Sequence, residues 1–253
     1  MQTRVKTSSE IDSMRRSGRI LEEVLQFVIQ STKQGMSTKD LADLAADKLA
    51  NYDNAQPAFL NYYGFPHVLC VSVNDQVIHG IPKNHVIIDD GDVVSIDFGV
   101  KYNGMITDAA RTYVVGNTNS TKKLLIEKTE QSLLAGIRVV KNTVRVGTIS
   151  AEIEKVLHNS KLGIIREYVG HGVGHNLHEE PNIPNYGKAN TGQVLESGMS
   201  IAIEPMATLG GESVYVEDDN WTVTTKDGSL SAHFEDTVLI TDDGYEILTR
   251  TIE

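Results

Sequence analysis

A chain of 253 residues, 40% hydrophobic and 23% charged, has the size of one large domain or two small ones and the composition of a globular protein. Its net charge of −11 argues against non-specific nucleic-acid binding, and its single cysteine, Cys70, excludes an internal disulfide and fits a reducing compartment. No apolar run approaches a membrane span, and the N-terminal MQTRVKTSSEIDSMRRSGRI has no signal-peptide core, so the expected location is cytoplasmic.

Residues 10–33 place Ile11, Met14, Ile20, Leu21, Val24, Leu25 and Val28 at helical spacing. Gly35 suits a stop, and Ser37 or Thr38 then caps a second helix through Leu41, Leu44, Ala45 and Leu49. After an irregular aromatic stretch, Phe59–Pro66, short apolar runs at 68–73 and 93–100 predict strands. Tyr102–Asn103–Gly104 predicts a hairpin returning along 105–115. Residues 121–140 are helical by pattern, Gly147–Ser150 leads into a helix through Ile153, Val156 and Leu157, and Ile164–Val169 and Met199–Ile203 predict strands.

The second half follows the plan of the first. Gly147–Thr148–Ile149–Ser150 enters its helix as Gly35–Met36–Ser37–Thr38 does. Gly91 precedes Asp97 by six residues as Gly198 precedes Glu204, and His79 and His178 are each followed by proline after three. No Pro/Gly/Ser linker separates the halves. The expectation is one α+β domain over residues 1–253, a strand-rich core flanked by helix pairs, with pseudo-symmetric repeats at about 10–115 and 121–250 and a site between them.

Chemistry-bearing residues collect at the strands. Val169–Pro181 reads VGHGVGHNLHEEP, with glycine at every second position from Gly170 to Gly174, a pattern of extended backbone that admits close approach. It carries His171, His175 and His178, and imidazole is the commonest protein metal ligand. Asp97 and Asp108 lie eleven residues apart across the hairpin, able to meet on adjacent strands, where two carboxylates require a proton or a cation. Glu204 ends an apolar run before Pro205, which favours an extended backbone, and Glu235 interrupts another run. Acidic residues are disfavoured inside strands and seldom buried unpaired. Four carboxylates and one imidazole form a hard ligand set suited to two divalent ions such as Mn, Fe, Co or Zn, and four negative charges balance two such ions. Two ions so held can activate a water and polarise a carbonyl.

With these residues in place, the chain resembles the type I methionine aminopeptidases of bacterial type, within the pita-bread metallopeptidases, along essentially its whole length. The motifs are CVSVNDQVIHGIP, SIDFGVKYNGMITDAART, GHGVGHNLHEEPNIPNYG, MSIAIEP and AHFEDTVLIT. The resemblance implies a pita-bread fold and a cytoplasmic enzyme that removes the initiator methionine from nascent polypeptides, preferring a small second residue, by attack of a metal-bridging water or hydroxide. Asp97 would hold one ion, His171 and Glu204 the other, and Asp108 and Glu235 would bridge. Glu204 would accept the proton, His178 would contact the substrate carbonyl and His79 the scissile amide nitrogen. Phe59, Tyr62, Phe65, Cys70, Leu177 and Trp221 would line the methionine pocket, with His79 and His178 at its edge; an aromatic slot with a sulfur contact suits a thioether. Phe59 and Leu177 differ from the small and aromatic residues usual there, which bears on pocket shape rather than chemistry. Asn74, Gln76 and Ser231 match a monovalent-cation site of some relatives. His175 is assigned a structural role, and His67, His85, His158 and His233 are taken as ordinary histidines.

The resemblance further implies a monomer working beside the ribosome, without membrane or specific nucleic-acid partners. Two alternatives stand against it: a proline-specific peptidase of the same superfamily, and a non-catalytic pita-bread binding protein. The second should have lost ligands and carry a basic face, whereas this chain keeps all five ligands and is acidic.

Overall fold

A computed structural model describes residues 4–250. The chain opens with helices α1 (Ser8–Ser31) and α2 (Thr38–Leu49), followed by strands β1 (Ala55–Pro57), β2 (Cys70–Val73), β3 (Gln76–Ile78), β4 (Val93–Tyr102) and β5 (Met105–Val114). Helices α3 (Ser120–Arg138) and α4 (Val146–Asn159) begin the second half. After them come β6 (Gly163–Ile164), β7 (Gly170–Gly172), β8 (Glu179–Ile183), β9 (Ser200–Ile203) and β10 (Met206–Thr208). The chain closes with β11 (Val214–Val216), β12 (Val223–Thr225), β13 (Ser231–His233), β14 (Glu235–Ile240) and β15 (Tyr245–Ile247).

The local signals explain most of these boundaries. Ser37 caps α2 in a reciprocal box with Asp40, and Thr7 does the same for α1 with Glu10. Asn103 and Gly104, at φ 46° and 85°, make the two-residue turn that folds β5 back on β4. Two expectations are corrected. α4 begins at Val146, so Gly147 lies inside its first turn. A Cβ there would sit 2.4 Å from the Lys188 carbonyl oxygen, so this glycine serves close packing rather than a loop. The strand expected over Ile164–Val169 stops at Ile164. After Ile165 donates to Met206, Arg166 turns outward to Glu212 and Glu154, with its guanidinium over Tyr186, and the backbone leaves the ladder.

A nine-stranded sheet runs β1–β4–β5–β14–β9–β7–β8, with β2 also on β4 and β15 also on β14. Alternation along its strands separates two faces. From one face, Ile96, Phe98, Val100 and Ala109 bury against Leu21, Val24 and Leu25 of α1 and Leu41 of α2. Ile201, Ile203 and Val238 bury against Leu133 and Ile137 of α3 and Ile149 and Ile153 of α4. Both helix pairs therefore cover the same side. On that covered side Arg111 donates to Asp236 (2.8 Å) and to the carbonyl oxygens of Glu235 (2.6 Å) and Thr249 (2.8 Å), while Arg250 also pairs with Asp236, which is fully buried. The other side of the sheet is left for the site.

Candidate active site

Strand register brings the carboxylates together. On β4 and β5, Asp97 faces Ala110 and Asp108 faces Gly99, so the two acids are diagonal neighbours on one face. Glu235 of β14 also faces Ala110, which puts it in the same row as Asp97. One row along, His171 of β7 faces Ala202, which faces Thr237, and the Thr237 hydroxyl both accepts from the Asp108 amide and donates to its carbonyl, each at 2.8 Å. Glu204 follows β9 directly, its backbone carbonyl accepting from Asn185. Its Oε1 lies 3.5 Å from Nε2 of His171. Asp108, His171 and Glu235 each offer a ligand atom within 4.8 Å of one another.

These groups are buried, and the protein leaves several of their atoms without partners. Asp97 Oδ1, Asp108 Oδ1 and Glu235 Oε1 are inaccessible and unbonded. Burial, then mutual repulsion, drives the acids of Asp97, Glu204 and Glu235 well above the ordinary carboxylate range, and burial pushes Asp108 up to about 7. His171 is held down to about 3 by burial and by neighbouring His178, while its Nδ1 sits 3.0 Å from the Gly172 carbonyl. With the ring proton donated there, Nε2 keeps its lone pair for a cation. Orphaned carboxylate oxygens around a neutral imidazole are what a divalent-metal site requires; among the described residues Asp108, His171 and Glu235 fit it, and Asp97 and Glu204 line the same cavity.

The apolar half of the site is a cavity of about 300 Å³ lined by Phe59, Tyr62, Phe65, Cys70, His79, Leu177, His178 and Trp221 together with all five acid and imidazole residues. Every residue expected for divalent-metal or substrate binding is therefore at this one cavity. Phe59 lies over Gly99, where a Cβ would come within 2.6 Å of its ring, so the glycine opposite Asp108 makes room for the aromatic wall. Phe65 packs edge-on to Trp221 at 5.2 Å between centroids. Trp221 is held from below by Asp219, which accepts from its amide and pairs with Lys83 at 2.9 Å.

The two flanking histidines are fixed differently. His178 has Nδ1 3.0 Å from the Tyr62 hydroxyl and its ring 4.3 Å from that of His171. Burial raises the Tyr62 pKa, so the phenol keeps its proton; donating it to Nδ1 leaves Nε2–H of His178 as a free donor. His79 directly follows β3 in a left-handed conformation, φ 58°, a strained backbone of the sort that concentrates at functional sites. Burial lowers its pKa to about 4.

Cys70 faces Asp97 across the β2–β4 ladder, and burial together with Asp97, Asp108 and Glu235 pushes its thiol well above its ordinary pKa. A thiol so disfavoured as thiolate is suited to a wall of the pocket rather than to nucleophilic attack. Cys70→Ser is expected to keep its metal and most of its kcat, with the loss appearing in KM for methionyl peptides. Complete loss of turnover in a folded, metal-loaded variant would instead indicate covalent catalysis.

Some residues at the site have no counterpart among the expectations. Tyr63, Ile78, Tyr168 and Val169 also line the cavity. His233, taken as an ordinary histidine, is buried with its Nε2 3.6 Å from Glu204 Oε2. Its position two residues before Glu235, where extended strands repeat their facing, was the available signal. His175 lies apart, its Nε2 2.8 Å from Glu10 Oε1 of α1. Outside the cavity, the Ser231 hydroxyl is 3.3 Å from the Asn74 carbonyl oxygen and 2.9 Å from that of Gln76, so the three residues expected at a monovalent site do converge.

The model of metallopeptidase family M24 matches residues 12–242. Methionine aminopeptidase 1 of Bacillus subtilis is 46% identical over 245 residues, covering 97% of this chain and 98% of that one, and the methionine aminopeptidase of Clostridium acetobutylicum is 42% identical over the same shares. The crystal structure of the Thermotoga maritima methionine aminopeptidase superposes with a TM-score of 0.96 at 42% identity, over 99% of this chain and 100% of that one. Prolidase from Pyrococcus furiosus shares the fold, at a TM-score of 0.75 and 24% identity, over 98% of this chain and 66% of its own.

Proposed function

Since the chain belongs to metallopeptidase family M24 and, within it, to the methionine aminopeptidases, we infer that it hydrolyses the bond after the N-terminal methionine of new polypeptides across a centre of two divalent ions. The observation that carries the dimetal assignment is the set of buried carboxylate oxygens on Asp97, Asp108 and Glu235 that the protein leaves unpartnered beside His171. Asp97 would hold one ion and His171 and Glu204 the other, with Asp108 and Glu235 shared between them. When bound, the ions supply Lewis-acid activation of the attacking water and of the scissile carbonyl.

The chain's own side chains do the rest. Glu204 takes the proton of the attacking water. His178, its Nδ1 engaged by Tyr62, donates Nε2–H to the carbonyl oxygen as negative charge develops there. His79 sits at the scissile nitrogen. The methionine side chain occupies the slot between Phe59, Phe65, Cys70 and Trp221, where thioether and aromatic contacts are favourable. Further parts of the same reading are cytoplasmic action as a monomer on chains leaving the ribosome, and a monovalent cation at the Asn74 and Gln76 carbonyls with Ser231. No helix among the described residues is long and apolar enough to cross a membrane, which accords with that setting.

The test is a comparison of Met-Ala-Ser with Xaa-Pro peptides, on enzyme loaded separately with Co, Mn, Fe and Zn. Release of methionine from Met-Ala-Ser alone is expected. Preferential cleavage before proline would move the chain to the prolidase side of the superfamily.

A further inference from the structure

One buried imidazole remains outside this scheme. His233 is 1% exposed, and neither ring nitrogen has a hydrogen-bond partner. Its backbone is tied down on both sides. The Thr112 hydroxyl accepts from the His233 amide at 2.9 Å and donates to its carbonyl at 2.7 Å, and β13 is paired with β10 so that His233 faces Met206. The carboxylate of Glu204 thus lies between two imidazoles, with Oε1 3.5 Å from His171 Nε2 and Oε2 3.6 Å from His233 Nε2. His171 is spoken for as a metal ligand. Nothing in the scheme uses His233.

We propose that His233 is a positioning residue for Glu204: its Nε2–H binds Oε2, which commits Oε1 to the metal shared with His171 and fixes the carboxylate that takes the water's proton. Without that donor, Oε2 is free to rotate towards the ions, so both the orientation and the denticity of the ligand are lost. A donor at this position acts on metal affinity first and on turnover through it. An amide side chain can make the same hydrogen bond, whereas an aliphatic one of similar size cannot.

The inference rests on the dimetal reading of the site, and its test has readouts independent of peptide cleavage. In the zinc-loaded wild-type enzyme with 15N-labelled histidine, the His233 ring is expected as the Nε2–H form, its nitrogens free of zinc. An Nδ1–H form, or a ring nitrogen bearing the signature of zinc ligation, overturns the proposal. Calorimetric titration of Mn²⁺ into metal-free enzyme should show the ion on the His171 side weakened by roughly 10–100-fold in His233→Leu. His233→Gln should recover most of that affinity. Unchanged affinity in His233→Leu, or equal losses in both variants, also overturns it. Should His233→Leu fail to fold, the wild-type ring spectrum decides alone. Wild-type cleavage of Met-Ala-Ser would stand through any of these failures, so they are distinguishable from failure of the functional assignment.

Discussion

Alanine at Asp108 or Glu235 is expected to strip the enzyme of its ions and, with them, of several kcal/mol of transition-state stabilisation, which is on the order of 10³-fold or more in turnover. Both residues sit where they can reach His171 at once, so neither loss can be made good by the remaining acids. The same variants should gain stability without metal. In the metal-free wild type, four carboxylates are crowded into a buried space with no cation, and removing one relieves both desolvation and repulsion. Metal-free Asp108→Ala should therefore melt above the metal-free wild type, by about 2–4 °C for each kcal/mol relieved. The wild type alone should rise on adding Mn²⁺ or Zn²⁺.

The pH dependence has a definite sign. Asp108 is raised from 3.8 to about 7, so between those values the folded metal-free chain holds more protons than the unfolded one. Its stability falls as pH rises through that window, and metal binding, which expels the protons, strengthens over the same range. Melting curves and Mn²⁺ titrations at pH 5 and pH 8 would check both. A metal affinity independent of pH, or wild-type metal content in either alanine variant, would sink the bridging assignment.

His178→Ala and His79→Ala are expected to lower kcat by ~10²–10³ while leaving metal content almost intact. Neither imidazole belongs to the ligand set, yet both line the cavity beside it. For His178 the proposed mechanism is specific: with Tyr62 occupying Nδ1, the opposite Nε2–H would face the oxyanion already oriented before substrate arrives, and preorganised donors lower the barrier more than they tighten ground-state binding. On the proposed reading the two histidines would flank the scissile bond and, with the site rim, leave little room beyond the methionine. Met-Gly, Met-Ala and Met-Ser peptides should therefore be cut far faster than Met-Leu or Met-Lys. Equal rates across that series would remove the cramped rim from the explanation. Loss of metal from either alanine variant would make that histidine a ligand.

The candidate ligands were legible in the sequence because each breaks a rule that its neighbours obey. Asp97, Asp108, Glu204 and Glu235 interrupt or end apolar strands, and an acid in such a place needs compensation. The pairing of Asp97 with Asp108 followed from one Asn–Gly turn, whose two-residue length sets the register of the whole hairpin. His233 broke no rule of its own. Strand periodicity set its facing, but its distance from Glu204 depends on how β13 lies against β10, a long-range pairing that no local pattern encodes. The segment after Ile164 failed for the opposite reason: Ile165 to Val169 look like a strand, yet Tyr168 and Val169 are drawn off to wall the cavity. Likewise, Gly147 resembled a loop glycine, whereas it makes a close steric contact with distant residues, at Lys188 and Thr191.

Glu235 and Asp236 are adjacent on β14 and point to opposite sides of the sheet, one into the ion site and the other into the grip of Arg111 and Arg250. The charge on the front is balanced by something the enzyme must acquire, while the charge behind is balanced by the chain itself. A slip of β14 by one residue would exchange the two. It would carry Asp236 away from both arginines into a nest of like charges, and strand Glu235 among helix-covered apolar residues. The misaligned sheet is thus penalised on both faces at once. The alternation of two acids works as a register key for the central strand, and it turns correctly before any ion has bound.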